Sequence, residues 1–444
     1  MAVHMAASDT VIPDPLTRKE ALSSPHCAEW LAAEGTELKA LTQNGTFKQV
    51  NRSTMPPTQK AITCRWVHTI KRNADHSISR FKARLVARGF LQKEGIDYTE
   101  TFAAVAITKS FRILVAIATI LSWRTFQLDV NNAFLYSTLQ EKVFMTFPPG
   151  YPGPTDCVLL LLKSIYGLKQ AGRNWWNSLR DALVSLDFIQ LLSDACVFIH
   201  RSKLVFISMH VDDIVIYSGS KAICTKIVTE LCRIFSMKPM GVLSYYIGFE
   251  ITRSPGRSTI HQTSYVERVL SRFSMDGAKS TSMPAPEKVQ LSKSQSPPPD
   301  DADANARAKT RPFRSAVGSL LYAALGSRPD IMHAVISLAQ FNANHGDEHW
   351  TAVKHCFRYL VGTKSWGLTY TSTPGDTVNI TAYCDSDWAG DPDTRKSRSG
   401  GVIILAGKPI IWISKTQATI ALSSCEAEFV ALCETIKEIV WLLH

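Results

Sequence analysis

No stretch of about 18 uninterrupted apolar residues occurs in the 444-residue chain, so nothing in it reads as a membrane-spanning helix. The opening MAVHMAASDTVIPDPLTRKE lacks the apolar core of a secretory signal. Its proline and polar content reads as a flexible tail over 1–13. The ten cysteines stand singly, with no Cys-x-x-Cys pair. That argues against a zinc module and a disulfide framework, and for a reducing compartment rather than secretion. Internal repeats are absent as well. What remains is a soluble globular composition, 45% hydrophobic, long enough for about three domains.

Acidic residues are scarce where basic ones gather. The net charge is +11, and between Lys60 and Lys93 the chain carries Lys60, Arg65, Lys71, Arg72, Arg80, Lys82, Arg84, Arg88 and Lys93 against Asp75 alone. Trp66, Phe81 and Phe90 interleave with these cations. A basic stripe with aromatics suits nucleic-acid phosphates or a nucleotide triphosphate. As charge alone, a solvated face is an equal reading.

Periodicity places the elements. Residues 25–42 have helical spacing, and 61–90 alternate as two strands about the turn RNADHS. A helix is expected over 107–121, a buried strand over 124–134, a strand in CVLLLLKSIYG and a helix in AGRNWWNSLRDALVSLDF. Two strands over 195–209 lead to Asp212 and Asp213, and a helix follows over 220–235. Residues 284–312, rich in Pro, Ser, Asp, Ala and Lys, read as a flexible linker. Helical patterns follow at 313–326, 330–344 and 347–361. The chain then gives three strands and a last helix, ALSSCEAEFVALCETIKEIVWLLH.

The stretch ISMHVDDIVIYS sets two carboxylates between apolar strands. Asp-Asp is a common turn pair, yet adjacent carboxylates repel unless a cation lies between them. Asp129, at the end of the apolar strand in FQLDVNNAF, is a third. Alone it would read as a strand-end cap. Three such acids can hold two divalent ions, which clamp the attacking and leaving oxygens of an in-line phosphoryl displacement. The basic hairpin, with Lys82 and Arg84, would hold a triphosphate, and Gln170 in SIYGLKQAGRNWW would lie near the base or sugar.

These segments together resemble the reverse transcriptase region of copia-type LTR-retrotransposon Pol polyproteins, from about Asp14 to His444. The resemblance rests on RWVHTIKRNADHSISRFKARLVARGFLQKEGIDYTETFAAVA, FQLDVNNAFLYSTLQEKVFMTFPPGY, LLKSIYGLKQAGRNWW, HVDDIVIYS, FRSAVGSLLYAALGSRPDI, HWTAVKHCFRYLVGT and YCDSDWAGDPDTRKSRSG with SSCEAEFVAL. Their order and spacing make it specific. It implies a mixed α/β (α+β) right-hand polymerase. Fingers and palm would span 14–255, and thumb and connection 256–375 with a disordered linker at 284–312. A partial ribonuclease H-like domain would span 376–444.

The implied activity is RNA-directed DNA synthesis. Asp129, Asp212 and Asp213 would hold two Mg²⁺ ions, with Mn²⁺ as the alternative metal. The partners would be deoxynucleoside triphosphates, a primed RNA or DNA template, and other Pol or Gag products. The place would be a cytoplasmic virus-like particle or the nucleus. Phe134 matches the family's aromatic steric gate against a ribose 2′-hydroxyl, although a plain core phenylalanine is an equal reading. Asp385 and Glu428 match ribonuclease H metal carboxylates. Asp387 and Glu426 read as solvated neighbours.

Departures from the pattern bear on activity. His210 stands where the family has Tyr beside the primer end, Ala104 where TFAPV has Pro, and Gly172 where KQAPR has Pro. The chain reads as one fragment of a Pol polyprotein, ending at the Glu428 helix before a third ribonuclease H acid, so hybrid cleavage is not expected of it. Two rivals to the polymerase reading follow. One is a relic that binds nucleic acid without polymerising; the other is an interaction remnant, which the basic hairpin disfavours.

Overall fold

Residues 12–72, 77–286, 290–373 and 378–444 are described by the computed structural model. Most of the expected tail (1–11), the tip of the expected hairpin (73–76) and residues 287–289 of the expected linker lie outside them. The chain divides into two units. The first runs to Val105 and includes Val130–Leu186 and Leu231–Met237; the second holds Ala106–Asp129, Asp187–Glu230 and Lys238–His444. Along the sequence the chain passes repeatedly from one unit to the other.

In the first unit, Cys64–Arg72 and Ile78–Ala87 form the basic hairpin. Alternation decides its faces. Cys64, Trp66, His68 and Ile70 are buried, as are Ala83, Leu85 and Ala87. The intervening positions pair Val67 with Arg84, Thr69 with Lys82 and Lys71 with Arg80. The cations thus share the outward face, and Lys71 and Arg80 lie directly opposite. Helix Cys27–Gln43 covers the inner face. Its buried Glu34 accepts from Arg18 Nε at 2.9 Å and lies 3.1 Å from His68 Nε2. A three-stranded sheet, with Cys157–Lys163 between Phe47–Asn51 and Thr138–Met145, completes this core with Val143, Leu159 and Leu161.

The second unit is built on a six-stranded sheet. Its order is Met237–Val242, Arg124–Val130, Asp213–Ser218, Val205–His210, Val197–His200, Phe188–Gln190. Helix Thr108–Ile120 packs in one core with Val215 and Tyr217 of that sheet. The same core takes in a four-stranded sheet, Tyr245–Tyr246, Phe249–Ser254, Arg257–His261 and Gly367–Thr371. None of its strands is among those expected from the sequence. Helices Thr263–Arg272, Phe313–Gly326, Met332–Ala339 and Asp347–Thr363 share a second core. The last sheet, Ile380–Asp387, Arg398–Leu405 and Lys408–Thr416, carries helix Ser424–Leu443. Among the described residues no helix is long and apolar enough to cross a membrane.

The segment expected to be a flexible linker differs from expectation. Its described residues include a 3₁₀ turn at Lys293–Gln295 and an α-helix at Ala302–Thr310. Local capping explains the helix start, because Asp301 accepts from Ala304 N at 2.9 Å. Backbone docking explains the rest. His349 Nε2 donates to Ser292 O at 3.1 Å, His345 Nε2 to Ala308 O at 3.0 Å, and Lys293 N to Asp393 at 2.8 Å. Such contacts leave no trace in hydrophobic periodicity.

One buried cation joins three parts of the second unit. Arg112, 3% exposed, donates to Leu325 O, Gly326 O and Ile410 O at 2.8–2.9 Å. Its guanidinium lies 4.0 Å from the Trp412 ring centroid. The first two acceptors are carbonyls at a helix end, which have no partner within the helix. Burial pulls the Arg112 pKa down to about 10, so it stays charged at neutral pH. Arg112→Leu should leave these carbonyls buried and unsatisfied and cost about 3 kcal/mol. Urea unfolding of the two proteins checks this; a midpoint unchanged from the parent would refute the role given to Arg112.

Candidate active site

Strands Val205–His210 and Asp213–Ser218 are antiparallel, with His210 paired to Asp213. Only Val211 and Asp212 form the turn between them. Val211 sits at φ +55° and is exposed. A β-branched residue rarely adopts that conformation, and holding it there costs about 1–3 kcal/mol. The strain is carried by the strands on either side, since Ile214, Val215 and Ile216 are fully buried.

On its other side Asp213 pairs with Asp129 in strand Arg124–Val130. Directly paired residues share a face of the sheet. His210, Asp213 and Asp129 therefore form one row across three strands, and Asp212 stands beside the row in the turn. Gln127, two residues before Asp129 and on the same face, donates from Nε2 to Asp213 Oδ1 at 3.2 Å. Burial pushes the Asp213 carboxyl above its ordinary pKa. Asp212 and Asp129 push it further, and the Gln127 hydrogen bond opposes them. Burial also pulls the His210 imidazole down, against a weaker push from Asp212. His210 Nδ1 is buried with no hydrogen-bond partner.

Like charges directly opposite on a sheet are destabilising, and a divalent cation is the remedy. The donors are all carboxylate oxygens, the chemistry that suits Mg²⁺ or Mn²⁺. Among the described residues, no three His, Cys, Asp or Glu side chains already converge in a metal-holding group. The acids fit a metal by chemistry and register rather than by a finished cage.

The remaining sequence-based candidates fall into two groups. In the first unit, Lys82 and Arg84 lie on the outward face of the hairpin. Burial lowers the Lys82 pKa, and the neighbouring Arg84, Arg80 and Lys71 lower it further. Phe134 lies in the 3₁₀ turn Ala133–Tyr136, partly buried against the core. Its ring meets Tyr166 edge-on at 4.8 Å, and Tyr166 also lies under the Arg84 guanidinium at 4.7 Å. Gln170 is 1% exposed, and its amide is committed to the segment that holds Gln92 and Asp97. It donates to Asp97 O at 2.8 Å and accepts from Gln92 Nε2 at 3.0 Å.

In the second unit, Asp385 and Asp387 are exposed on strand Ile380–Asp387, at the edge of its sheet. Glu428 Oε1 accepts from Ser386 N at 3.3 Å, next to Asp385. Glu426 serves its own helix, accepting from Leu422 N at 2.7 Å at the start that Ser423 caps.

Gln127 and Tyr166 were not singled out from the sequence. Gln127 could have been, because it lies two residues from Asp129 and a strand repeats every two. Tyr166 could not, because its partners come from two distant segments.

Comparison with known proteins agrees with this architecture. Residues 44–287, more than half the chain, match the family described as reverse transcriptase (RNA-dependent DNA polymerase). The Retrovirus-related Pol polyprotein from transposon TNT 1-94 of Nicotiana tabacum is 38% identical over 97% of this chain and 32% of its own length. Its counterparts from transposons RE2 and RE1 of Arabidopsis thaliana are each 37% identical, over 93% and 100% of this chain and 28% and 29% of their own lengths. The chain thus spans about a third of the length of the curated relatives it matches. Among solved structures, the foamy viral protease-reverse transcriptase in complex with dsDNA aligns with a TM-score of 0.50 at 11% identity. That alignment covers 93% of this chain and 72% of the other, a likeness of fold. Family model, relatives and fold agree that the chain belongs to the reverse transcriptase (RNA-dependent DNA polymerase) family, in the branch carried by copia-type transposon Pol polyproteins.

Proposed function

We propose that the chain extends a primer 3′-hydroxyl with deoxynucleotides on an RNA or DNA template. The observation that carries this is the register that sets Asp213 opposite Asp129, with Asp212 next in the hairpin turn. Asp129, Asp212 and Asp213 would hold two Mg²⁺ ions, which when bound supply an activated nucleophile and neutralise the leaving pyrophosphate. Gln127 fixes the Asp213 carboxylate. Lys82 and Arg84 meet the triphosphate, and opposed Lys71 and Arg80 add to the field that draws it in. Phe134 bars a 2′-hydroxyl, and His210 sets the primer end.

A solved structure of like fold, the foamy viral protease-reverse transcriptase, holds dsDNA, which supports a nucleic-acid partner here. The ten free thiols fit a reducing place of action, a cytoplasmic virus-like particle or the nucleus, beside other Pol or Gag products. Asp385 and Glu428 are read as carboxylates of a ribonuclease H-like region.

A second reading, a nucleic-acid-binding relic, draws on His210, whose buried Nδ1 lacks a partner beside the acids. Primer extension on poly(rA) with a DNA primer separates the two. Asp129→Asn or Asp212→Asn should lower turnover by at least about two orders of magnitude, with an unchanged circular dichroism spectrum. Parent-like extension by both variants would remove the trio as the site, and an inactive parent with salt-dependent primer–template binding would favour the relic.

His210→Tyr should raise extension a few-fold, chiefly through better use of the primer terminus. A phenol reaches further than an imidazole and carries a hydroxyl. The Mg²⁺ requirement should not change. A fall in activity would show that the pocket has adapted to His.

Asp213 also links the site to stability. The folded chain holds the Asp213 proton more tightly than the unfolded chain, because burial raises its pKa. Its contribution to stability is therefore present at low pH. It is lost as pH rises from the ordinary carboxylate range, about 4, through the raised value. Without metal at pH 7, Asp213→Asn should stabilise the fold by roughly 0.5–1 kcal/mol. Mg²⁺ should raise the parent's Tm but not the variant's. A variant less stable than the parent in EDTA would contradict this account.

A further inference from the structure

We propose that Tyr166 is a specificity-determining residue, which holds the Phe134 ring and the Arg84 guanidinium in place for selection of a deoxynucleoside triphosphate. The proposal rests on the polymerase reading above and assigns it a residue.

The backbone at Tyr166 is locked to the hairpin. Tyr166 O accepts from Ala87 N at 2.8 Å, at the end of the strand that carries Lys82 and Arg84. The next residue, Gly167, has φ +90°, and a Cβ there would stand 2.1 Å from Ala87 O and 2.7 Å from Val86 Cγ1. A Cβ on Gly89 would stand 2.0 Å from Gly167 O. Only glycine fits at both positions, so the two chain segments touch backbone to backbone. Tyr166 is consequently placed by main chain, not by a mobile loop.

Its side chain then spans two groups of different chemistry. The Arg84 guanidinium lies 4.7 Å from the ring centroid, a cation–π distance that holds a long flexible side chain over one face. The Phe134 ring stands 4.8 Å away at 77°, an edge-to-face pair. Phe134 sits in a short 3₁₀ turn and is only partly buried, so its own surroundings restrain it incompletely. A steric gate works only if its ring cannot turn aside from the extra hydroxyl. Tyr166 supplies that restraint, and through Arg84 it ties the restraint to a group that would meet phosphate. Gln170, expected from the sequence near the base or sugar, has its amide committed to Asp97 and Gln92.

The test compares the parent with Tyr166→Leu, which removes the ring, and Tyr166→Phe, which keeps it. Binding of dATP and of ATP is measured on protein with a dideoxy-terminated primer on a template presenting thymine, so no turnover is needed. KM and kcat for primer extension are measured alongside. Tyr166→Leu should narrow the dATP-over-ATP preference about tenfold, the upper range for loss of an aromatic contact, and raise KM for dATP with kcat little changed. Tyr166→Phe should keep the preference within about twofold, since it keeps the ring that meets Phe134 and Arg84. A folded Tyr166→Leu with the parental preference overturns the proposal. So does an equal loss of affinity for both nucleotides, which would make Tyr166 a packing residue. A parent that binds neither nucleotide overturns the polymerase reading itself, a result separate from either of these.

Discussion

Two carboxylates face each other across one register position of a buried sheet, Asp213 opposite Asp129, and much of the second unit is arranged to hold them there. Side chains alternate strictly along a strand, so a slip of one residue would exchange its two faces. Here a slip would drive an acid toward the core and bring Leu128 or Ile214, both fully buried, to the position of the acids. The apolar run on each strand therefore fixes the position of the charges. Repulsion between the acids, and a strained Val211 at the adjoining turn, are tolerated because the pattern around them allows no other pairing. Gln127 is the one neighbour on that face that donates to the Asp213 carboxylate among the hydrogen bonds described.

The parts of this arrangement that are local were legible in the sequence. The basic hairpin has strict alternation, so its two faces could be assigned residue by residue. Asp212 and Asp213 interrupt an apolar run, and Asp129 ends one; a carboxylate in such a place needs a partner. The segment over 107–121 and the last segment are long, Ala- and Leu-containing and free of Pro and Gly, which reads as helix. Each of these signals is contained within one continuous stretch of the chain.

What stayed hidden depends on partners far along the chain. Strand Gly367–Thr371 pairs with Arg257–His261, more than a hundred residues away, and neither segment is apolar enough to declare itself. Arg112 looks like one more helix cation until the carbonyls of Leu325, Gly326 and Ile410 are seen around it. The segment 290–312 is polar and proline-rich, which reads as a linker. It is ordered by hydrogen bonds with His345, His349 and Asp393, and hydrogen-bond partners have no periodicity. Tyr166 belongs with these. Its neighbours Arg84 and Phe134 lie in separate elements, and only the glycines on either side of the contact hint at a close approach.

On the proposed reading the two units use different means of precision, and chemistry accounts for the difference. Selecting a sugar depends on a neutral surface staying still against a single hydroxyl. Glycine-mediated contact between main chains suits that, since no side chain lies between the segments to relax: Gly89 against Gly167, and Gly167 against Ala87. Holding a divalent ion depends instead on charge that is poorly satisfied without it. A carboxylate row already neutralised by Lys or Arg would gain little from a metal, because the interaction the metal offers would already be made. Gln127 orients Asp213 as a neutral donor, without cancelling its charge. The hairpin of the first unit follows the same rule with the opposite sign. Lys71 and Arg80 are paired directly across it, like charge against like charge, as Asp213 and Asp129 are in the sheet. Like charges so opposed repel, and on the proposed reading each pair would be offset by a ligand of the other sign, an anionic phosphate in one case and a divalent cation in the other.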